Sequence, residues 1–429
     1  MWTRRAGEGD GGAVSTAWAD RPALLFLFAL CLSWGVFNLG RALGGPKFGL
    51  DFTQHYVASR LVLEGRSDQI YADAAAFRAQ AAAHGAVTEA GASMTNAYPP
   101  FAALVLLPLA LLPFRPALWL FTAFSVAAWA AGAMLFVAGE GREQRRPLVL
   151  AALLLTFSFF PVHYSLYMGQ VNAFVFLLAA LAFRAAGGDR PWLGGLCVAL
   201  ATVLKVFPAV LIAYFAVRRK PRAAVAAVTF VIVLTGLSLP ILGTGPYKSY
   251  LADVLLQQSE GGAFYRNQGL AGALARLLTD NGYVHAIAND PFLARSLALG
   301  GGVLLLVVAL AVAARAGGGD DVAFGFVWAA TLLALPKSWE HYGGLLLFAY
   351  LAVTRRVLRQ APVPRGPLFL VFFSFCVWTF LLPTGSDYEQ LPRSVWFQPV
   401  FSAKFLATAL LFAACVWLLR RASPLGLRR

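Results

Sequence analysis

Apolar runs broken by charged or Pro/Gly-rich stretches recur along almost the whole 429-residue chain, and they restrict its fold more than any other feature. The runs lie at about 23–43, 117–138, 148–160, 171–186, 193–204, 206–217, 223–242, 294–315, 322–336, 343–354, 366–383 and 401–419. Residues of hydrophobic type make up 59% of the chain and charged ones only 13%, against about a quarter charged in a soluble domain. The expectation is an all-α polytopic membrane protein of about twelve crossings, with both termini on one side. Several runs fall short of the roughly 20 residues a straight crossing needs, so those must be tilted, broken or extended by their flanks. The segment Phe101–Pro113 carries Pro108 and Pro113 and is placed in the interface. No soluble-domain-sized insert interrupts the pattern, which predicts a cytoplasmic segment 1–22, one transmembrane domain over 23–419 and a basic cytoplasmic tail over 420–429. The first run is long for a signal-peptide core and reads as an uncleaved span.

Lys and Arg concentrate in alternate connections: Arg142, Arg145 and Arg146; Arg218, Arg219, Lys220 and Arg222; Arg355, Arg356, Arg359 and Arg365; and Arg420, Arg421, Arg428 and Arg429. The positive-inside rule assigns these to the cytoplasm. Much of the formal net charge of +15 is therefore topological, and a nucleic-acid surface is the weaker reading. The remaining connections, 44–116, 161–170, 243–293, 337–342 and 384–400, then face outward. Their polar residues suggest a site on the extracytoplasmic face of a multi-pass cell inner-membrane protein, since loops on a rigid scaffold commonly carry function.

Asp51 follows the first apolar run directly. A carboxylate held there among apolar and aromatic neighbours has restricted solvation, which raises its basicity and suits it to taking a proton from a hydroxyl. The competing role is an interfacial acid capping a helix that begins at Phe52. Lys205 sits between two short apolar runs, Lys337 and His341 share one outer connection with Trp339, and Arg266 lies in the long outer loop. Each is a candidate for holding an anionic group, against snorkelling for Lys205 and simple solvation for Arg266. His55, four residues after Asp51, shares its helical face and either orients it, binds phosphate or is an ordinary interfacial residue. Trp339 and Tyr342 suit a sugar face but also fit an aromatic belt. Gln170 and Asn172 offer hydrogen bonds to sugar or to neighbouring backbone, Glu340 is a second candidate acid, and Tyr98-Pro99-Pro100 reads as the end of the outer loop.

Asp51-Phe52 with Tyr56, Leu63-Glu64-Gly65, Ile70-Tyr71 and Tyr98-Pro99-Pro100 resembles the first outer loop of glycosyltransferase family 87, within the GT-C superfamily. The likeness continues through Gly169-Gln170-Val171-Asn172, Leu204-Lys205-Val206-Phe207-Pro208, Asn267-Gln268 and Ser338-Trp339-Glu340-His341-Tyr342. The resemblance implies a GT-C-like bundle with outer-face loops and interfacial helices. It also implies inverting transfer of a hexose, most simply mannose, from a polyprenyl-phosphate sugar to a glycolipid or polysaccharide acceptor, with Asp51 as general base. Donor phosphate or sugar would then meet Lys205, His341, Lys337, Arg266, His55, Gln170, Asn267 and Trp339.

No cofactor or metal is expected: Asp51 has no adjacent carboxylate, and no phosphate-binding Gly-rich loop opens a helix after a strand. The four cysteines all lie inside apolar runs and read as small core residues. A secondary transporter or lipid flippase is the alternative class, but it predicts internal repeats, and no second copy of the Asp51 or Lys205 segment is visible.

Overall fold

The computed structural model describes residues 22–45, 47–88, 95–139, 142–317, 320–359, 363–380 and 391–422. Nearly all of the expected N-terminal segment, most of the basic tail and the first part of the 384–400 connection lie outside the described residues. The chain is helical, in the order α1 (Pro22–Gly44), α2 (Leu50–Leu63), α3 (Ala74–Ala83), α4 (Phe101–Val105), α5 (Leu107–Ala110), α6 (Phe114–Val137), α7 (Arg142–Ser158), α8 (Phe160–Met168), α9 (Asn172–Gly187), α10 (Pro191–Leu204) and α11 (Val210–Val217). There follow α12 (Pro221–Leu242), α13 (Gly245–Ser249), α14 (Leu255–Ser259), α15 (Leu270–Leu278), α16 (Pro291–Arg315), α17 (Asp320–Ala334), α18 (Leu347–Leu358), α19 (Arg365–Thr379), α20 (Gln398–Phe401) and α21 (Ala403–Ala422).

Among the described residues, α6, α12, α16 and most of α21 are long and apolar enough to cross a membrane, and α7 with α8 forms a fifth candidate bent by 58°. The twelve expected crossings are thus not matched by twelve helices of spanning length. Several expected spans are instead short apolar helices, among them α9, α10 and α19. Two of the breaks have a local cause: Pro161, at the bend between α7 and α8, and Pro208, just after α10, each stand at the start of a new turn, where a missing N–H is tolerated but a helix cannot be continued from before.

Helices α17 and α18 are buried on all sides, as expected of apolar helices at the centre of a bundle. Phe348 of α18 meets Phe176 at 4.4 Å, Phe136 at 5.0 Å and Phe324 at 5.0 Å between ring centroids, tying α6, α9 and α17 together. The two central helices touch at Gly325, where a Cβ would stand 2.5 Å from Ala349 Cα; small residues permit such close backbone approach in membrane bundles. By contrast, α12 and α16 expose Ile232, Leu237, Leu299 and Leu304. These apolar faces are suited to lipid.

The segment that follows α1 is built on α2. The short pair α4 and α5 leaves carbonyls without helical partners, and α2 side chains satisfy them: Ser59 Oγ donates to Ala103 O at 2.8 Å, Tyr56 OH to Leu112 O at 2.8 Å and Arg60 to Ala110 O at 3.1 Å. Segment 101–113 therefore packs on α2 as two short helices. The start of α2 is fixed from the other side by α8. Gly49 N donates to Tyr167 O at 2.8 Å, and Gly169, at φ +72°, ends α8 so close to α2 that a Cβ there would lie 2.6 Å from Phe52 Cβ.

Gly169→Ala should consequently combine left-handed strain of roughly 1–2 kcal/mol with a backbone-level clash. The expected outcome is a lowered thermal unfolding midpoint in detergent and a loss of activity larger than the loss of folded protein. An alanine variant matching wild type in both would remove this packing from the account.

Candidate active site

Gly169 places Gln170 beside the first turn of α2. Asp51 is there, one residue inside the helix, and its carboxylate does not serve as the cap: α2 is preceded by Gly49. One carboxylate oxygen accepts from Gln170 Nε2, and the other from Gln54 Nε2 at 3.3 Å. Gln170 Oε1 in turn accepts from Lys205 Nζ at 2.8 Å and from Tyr98 OH at 2.9 Å. Lys205 makes a second bond to Asn172 Oδ1 at 2.8 Å and lies 3.9 Å from the centroid of the Tyr342 ring. Asn172 closes the circuit by donating to His341 O at 2.9 Å.

The chemistry of the partners dictates this arrangement. An ammonium only donates and a carboxylate only accepts, so the Gln170 amide has one orientation that serves both. Burial holds the Asp51 carboxyl up at about 6, opposed by the Gln170 hydrogen bond, the charges of Lys205 and Arg266, and the Gln54 hydrogen bond. A carboxyl in that range is a stronger base than an ordinary aspartate while remaining ionised at neutral pH.

A second polar group stands across from the first. Arg266 donates to Tyr164 OH and stacks over the Tyr164 and Tyr265 rings at 4.9 and 5.5 Å. Its guanidinium is 3.7 Å from Glu340 Oε2, and Glu340 Oε1 accepts from Lys404 Nζ at 2.6 Å. His341 lies 5.8 Å from the Tyr164 ring, with neither ring nitrogen bonded to protein. Burial, with Lys205 and Arg266 nearby, holds its imidazole neutral.

Asp51, Gln170, Lys205, Arg266, Lys337, Trp339 and His341 all line one cavity of about 730 Å³. The structure thus joins residues separated by as much as 290 positions in sequence, 51 to 341. Lys337 sits toward solvent, donating to Gln257 O at 2.6 Å. Two of the residues expected to meet the donor, His55 and Asn267, do not line the cavity. His55 is stacked on Tyr98, with ring centroids 3.8 Å apart, and burial, aided by Lys205, depresses its imidazole to about 3. Asn267 braces backbone: it donates to Pro336 O and accepts from Ser338 N, at 2.8 and 2.9 Å, joining the long connection between α12 and α16 to the 336–339 turn. Glu340 is fully buried, paired with Lys404, and absent from the cavity lining.

Residues that sequence reasoning did not select for the site are Gln54, Tyr164 and Lys404. Gln54 is three residues after Asp51 and so on its helical face, which is a local signal; Tyr164 and Lys404 gave none. Among the described residues, no three His, Cys, Asp or Glu side chains gather closely enough to hold a metal ion.

The family model for glycosyltransferase family 87 matches residues 96–336, more than half of the chain. The chain belongs to glycosyltransferase family 87. This family 87 enzyme is 27% identical over 93% of its length to a polyprenol-phosphate-mannose-dependent alpha-(1-2)-phosphatidylinositol mannoside mannosyltransferase of Mycolicibacterium smegmatis, covering 89% of that protein. It is 25% identical to the protein of the same description in Mycobacterium tuberculosis, over 92% of each chain. A further relative in that species, a polyprenol-phosphate-mannose-dependent alpha-(1-2)-phosphatidylinositol pentamannoside mannosyltransferase, is 30% identical over 42% of each chain. Within the family 87 match lie Tyr98, Gln170, Lys205 and Arg266, whereas Asp51, His341 and Lys404 lie outside it.

The Gln170 bond stabilises the charged form of Asp51, so its removal should raise that group's pKa. If Asp51 must be ionised, kcat/KM of the wild-type enzyme falls as pH drops through about 6, and Gln170→Leu should move this acid limb to higher pH. A pH–rate profile checks both, and an acid limb at the same pH in the variant would separate Gln170 from the ionisation of Asp51.

Proposed function

We propose that this family 87 enzyme is a membrane mannosyltransferase that moves a hexose, most simply mannose, from a polyprenyl-phosphate donor to a hydroxyl of a glycolipid acceptor. The printed descriptions of its relatives support the donor and the phosphatidylinositol-mannoside type of acceptor. The observation that carries the chemistry is the Asp51 carboxylate facing Lys205 and Arg266 inside one aromatic-lined cavity. Asp51 stands on one wall, and Lys205 and Arg266 stand around the same space. A cavity of this size suits a sugar phosphate meeting a second sugar.

In this reading the acceptor hydroxyl lies against Asp51, which takes its proton as the hydroxyl oxygen forms a bond to the anomeric carbon. The bond from that carbon to the donor phosphate breaks, and its electron pair leaves with the phosphate. Attack from the face opposite the leaving group inverts the configuration. Charge developing on the phosphate is met by Lys205 and Arg266, where fixed cations in a water-poor site act most strongly. His341 offers a neutral imidazole to a sugar hydroxyl or phosphate oxygen, and Trp339 and Tyr342 offer faces for a sugar ring.

The cavity is assigned to the extracytoplasmic face. It lies at the start of α9, whereas Lys220, Arg355, Arg359 and the Arg218–Asp320 pair gather at the other end of that helix. The 16 residues of α9 put roughly 24 Å between the two, at 1.5 Å per residue. The basic end is the one that the positive-inside rule keeps in the cytoplasm. Labelling of a single cysteine at position 220, in a background lacking the four native cysteines, should occur from the inside only, and labelling from the outside would reverse the arrangement.

Asp51→Asn keeps the shape and removes the basicity, so turnover should fall about 10²–10⁴-fold with donor binding and thermal stability retained. Asp51→Glu displaces the carboxylate and should recover partial activity at best. Wild-type turnover in the Asn variant would exclude Asp51 as the base. Arg266→Gln should raise donor KM with little change in acceptor KM, and an unchanged donor KM would take the phosphate away from Arg266.

A further inference from the structure

Three charged side chains, Arg266, Glu340 and Lys404, are stacked outward from the cavity wall, and only the first reaches the cavity. Lys404, near the start of α21, and Glu340 are 1% and 0% exposed, and their 2.6 Å contact is a hydrogen-bonded ion pair. The second oxygen of Glu340 is 3.7 Å from Arg266, and Arg266 alone of the three lines the cavity. Lys404 is confined from its other side, with Nζ 4.5 Å from the centroid of the Phe160 ring and 5.6 Å from that of Trp378. The Gln268 side chain holds the start of α21 in register, accepting from Phe405 N at 3.0 Å and donating to Phe401 O at 2.9 Å.

Two cations share one carboxylate, which leaves one positive charge in excess. The short contact to Lys404 takes the stronger claim on Glu340, and the longer contact to Arg266 is mainly Coulombic. Fold stability does not account for a buried ion pair here, because well-packed apolar side chains of similar volume commonly serve as well or better. The pair has an electrostatic consequence: without Lys404, Glu340 would neutralise Arg266, and these stacked groups would present no net charge to the cavity.

We propose that Lys404 is a positioning residue that, by engaging Glu340, keeps the positive charge of Arg266 available to the cavity and so sets its selectivity for a phosphate-bearing donor. The inference rests on the assignment of the donor phosphate to Arg266. It extends the determinants of donor recognition to the last apolar helix, beyond the residues matched by the family model.

The test is a charge-balance cycle on the full-length protein in nanodiscs, with polyprenyl-phosphate mannose as donor and a phosphatidylinositol mannoside as acceptor. Donor KM, acceptor KM, kcat and the thermal unfolding midpoint are read for each variant. Lys404→Met should raise donor KM by about tenfold to a hundredfold, the scale of one lost charged hydrogen bond, with acceptor KM unchanged. Glu340→Gln alone increases the net positive charge and should hold or lower donor KM. The double variant Lys404→Met/Glu340→Gln restores the excess charge on Arg266 and should return donor KM to near wild type.

A purely structural pair predicts the other pattern, in which both single variants lose stability and the folded fraction keeps its donor KM. An unchanged donor KM in Lys404→Met, or a double variant as impaired in donor KM as Lys404→Met, overturns the inference. Should Lys404→Met fail to fold, Lys404→Arg and the double variant decide it: both are expected near wild type in donor KM, and a raised value in the double variant overturns it. Arg266→Gln separates the two levels. If it leaves donor KM unchanged, the placement of the phosphate fails; if it raises donor KM while Lys404→Met does not, only the role of Lys404 fails.

Discussion

The side-chain amide of Gln170 is the joint on which the site depends. It lies between an acceptor-only carboxylate and a donor-only ammonium, and turning it over would set oxygen against oxygen and nitrogen against nitrogen. Its orientation is therefore specified by Asp51 on one side and by Lys205 with Tyr98 on the other. Gln170 can stand there because α8 ends at Gly169 in a left-handed turn and α9 begins three residues later, at Asn172. The break in the helix and the polar joint are one feature.

That coupling explains how a largely apolar chain tolerates so many polar groups. Every interruption of the bundle near the site, at Gly169-Gln170, at Lys205 and at Lys337–His341, frees backbone groups and delivers polar side chains to the same space. Non-helical backbone at membrane depth is acceptable only where protein or a polar cavity satisfies it. The continuous helices α12 and α16 lie elsewhere, presenting Leu, Ile and Val to lipid. Short broken helices around the cavity and the unbroken α12 and α16 at the periphery are complementary answers to the same demand for hydrogen bonds.

Much of the site was legible in the chain. Asp51, Lys205 and His341 each interrupt or border an apolar run, and a titratable residue in such a place requires a reason; Arg266 was a candidate only by its place in the long 243–293 connection. Gln170 and Trp339 came with the motif order. Roles were harder to read than membership: Asn267 stands in a motif yet braces backbone, and His55 shares a sequence spacing with Asp51 yet stacks on Tyr98. Spacing identifies a face of a helix, but it does not say what packs against that face. Lys404 was invisible because a lysine at the end of an apolar run reads as an interfacial anchor. Only the approach of α21 to the 340–341 turn gives it a buried partner.

Composition, the lengths of the apolar runs and the distribution of Arg and Lys by themselves determined the membrane class, the helical architecture and one polar face. Those properties follow from transfer of each segment between water and lipid, which is a local quantity. The tertiary structure alone decided how many runs remain continuous, which polar residues meet, and which charges are neutralised before they reach the cavity. Hydrogen bonds and ion pairs act over a few ångströms, so the partnership of Asp51 with Gln170 or of Glu340 with Lys404 exists only once distant segments have packed. The charge presented to a ligand is the sum over those partnerships.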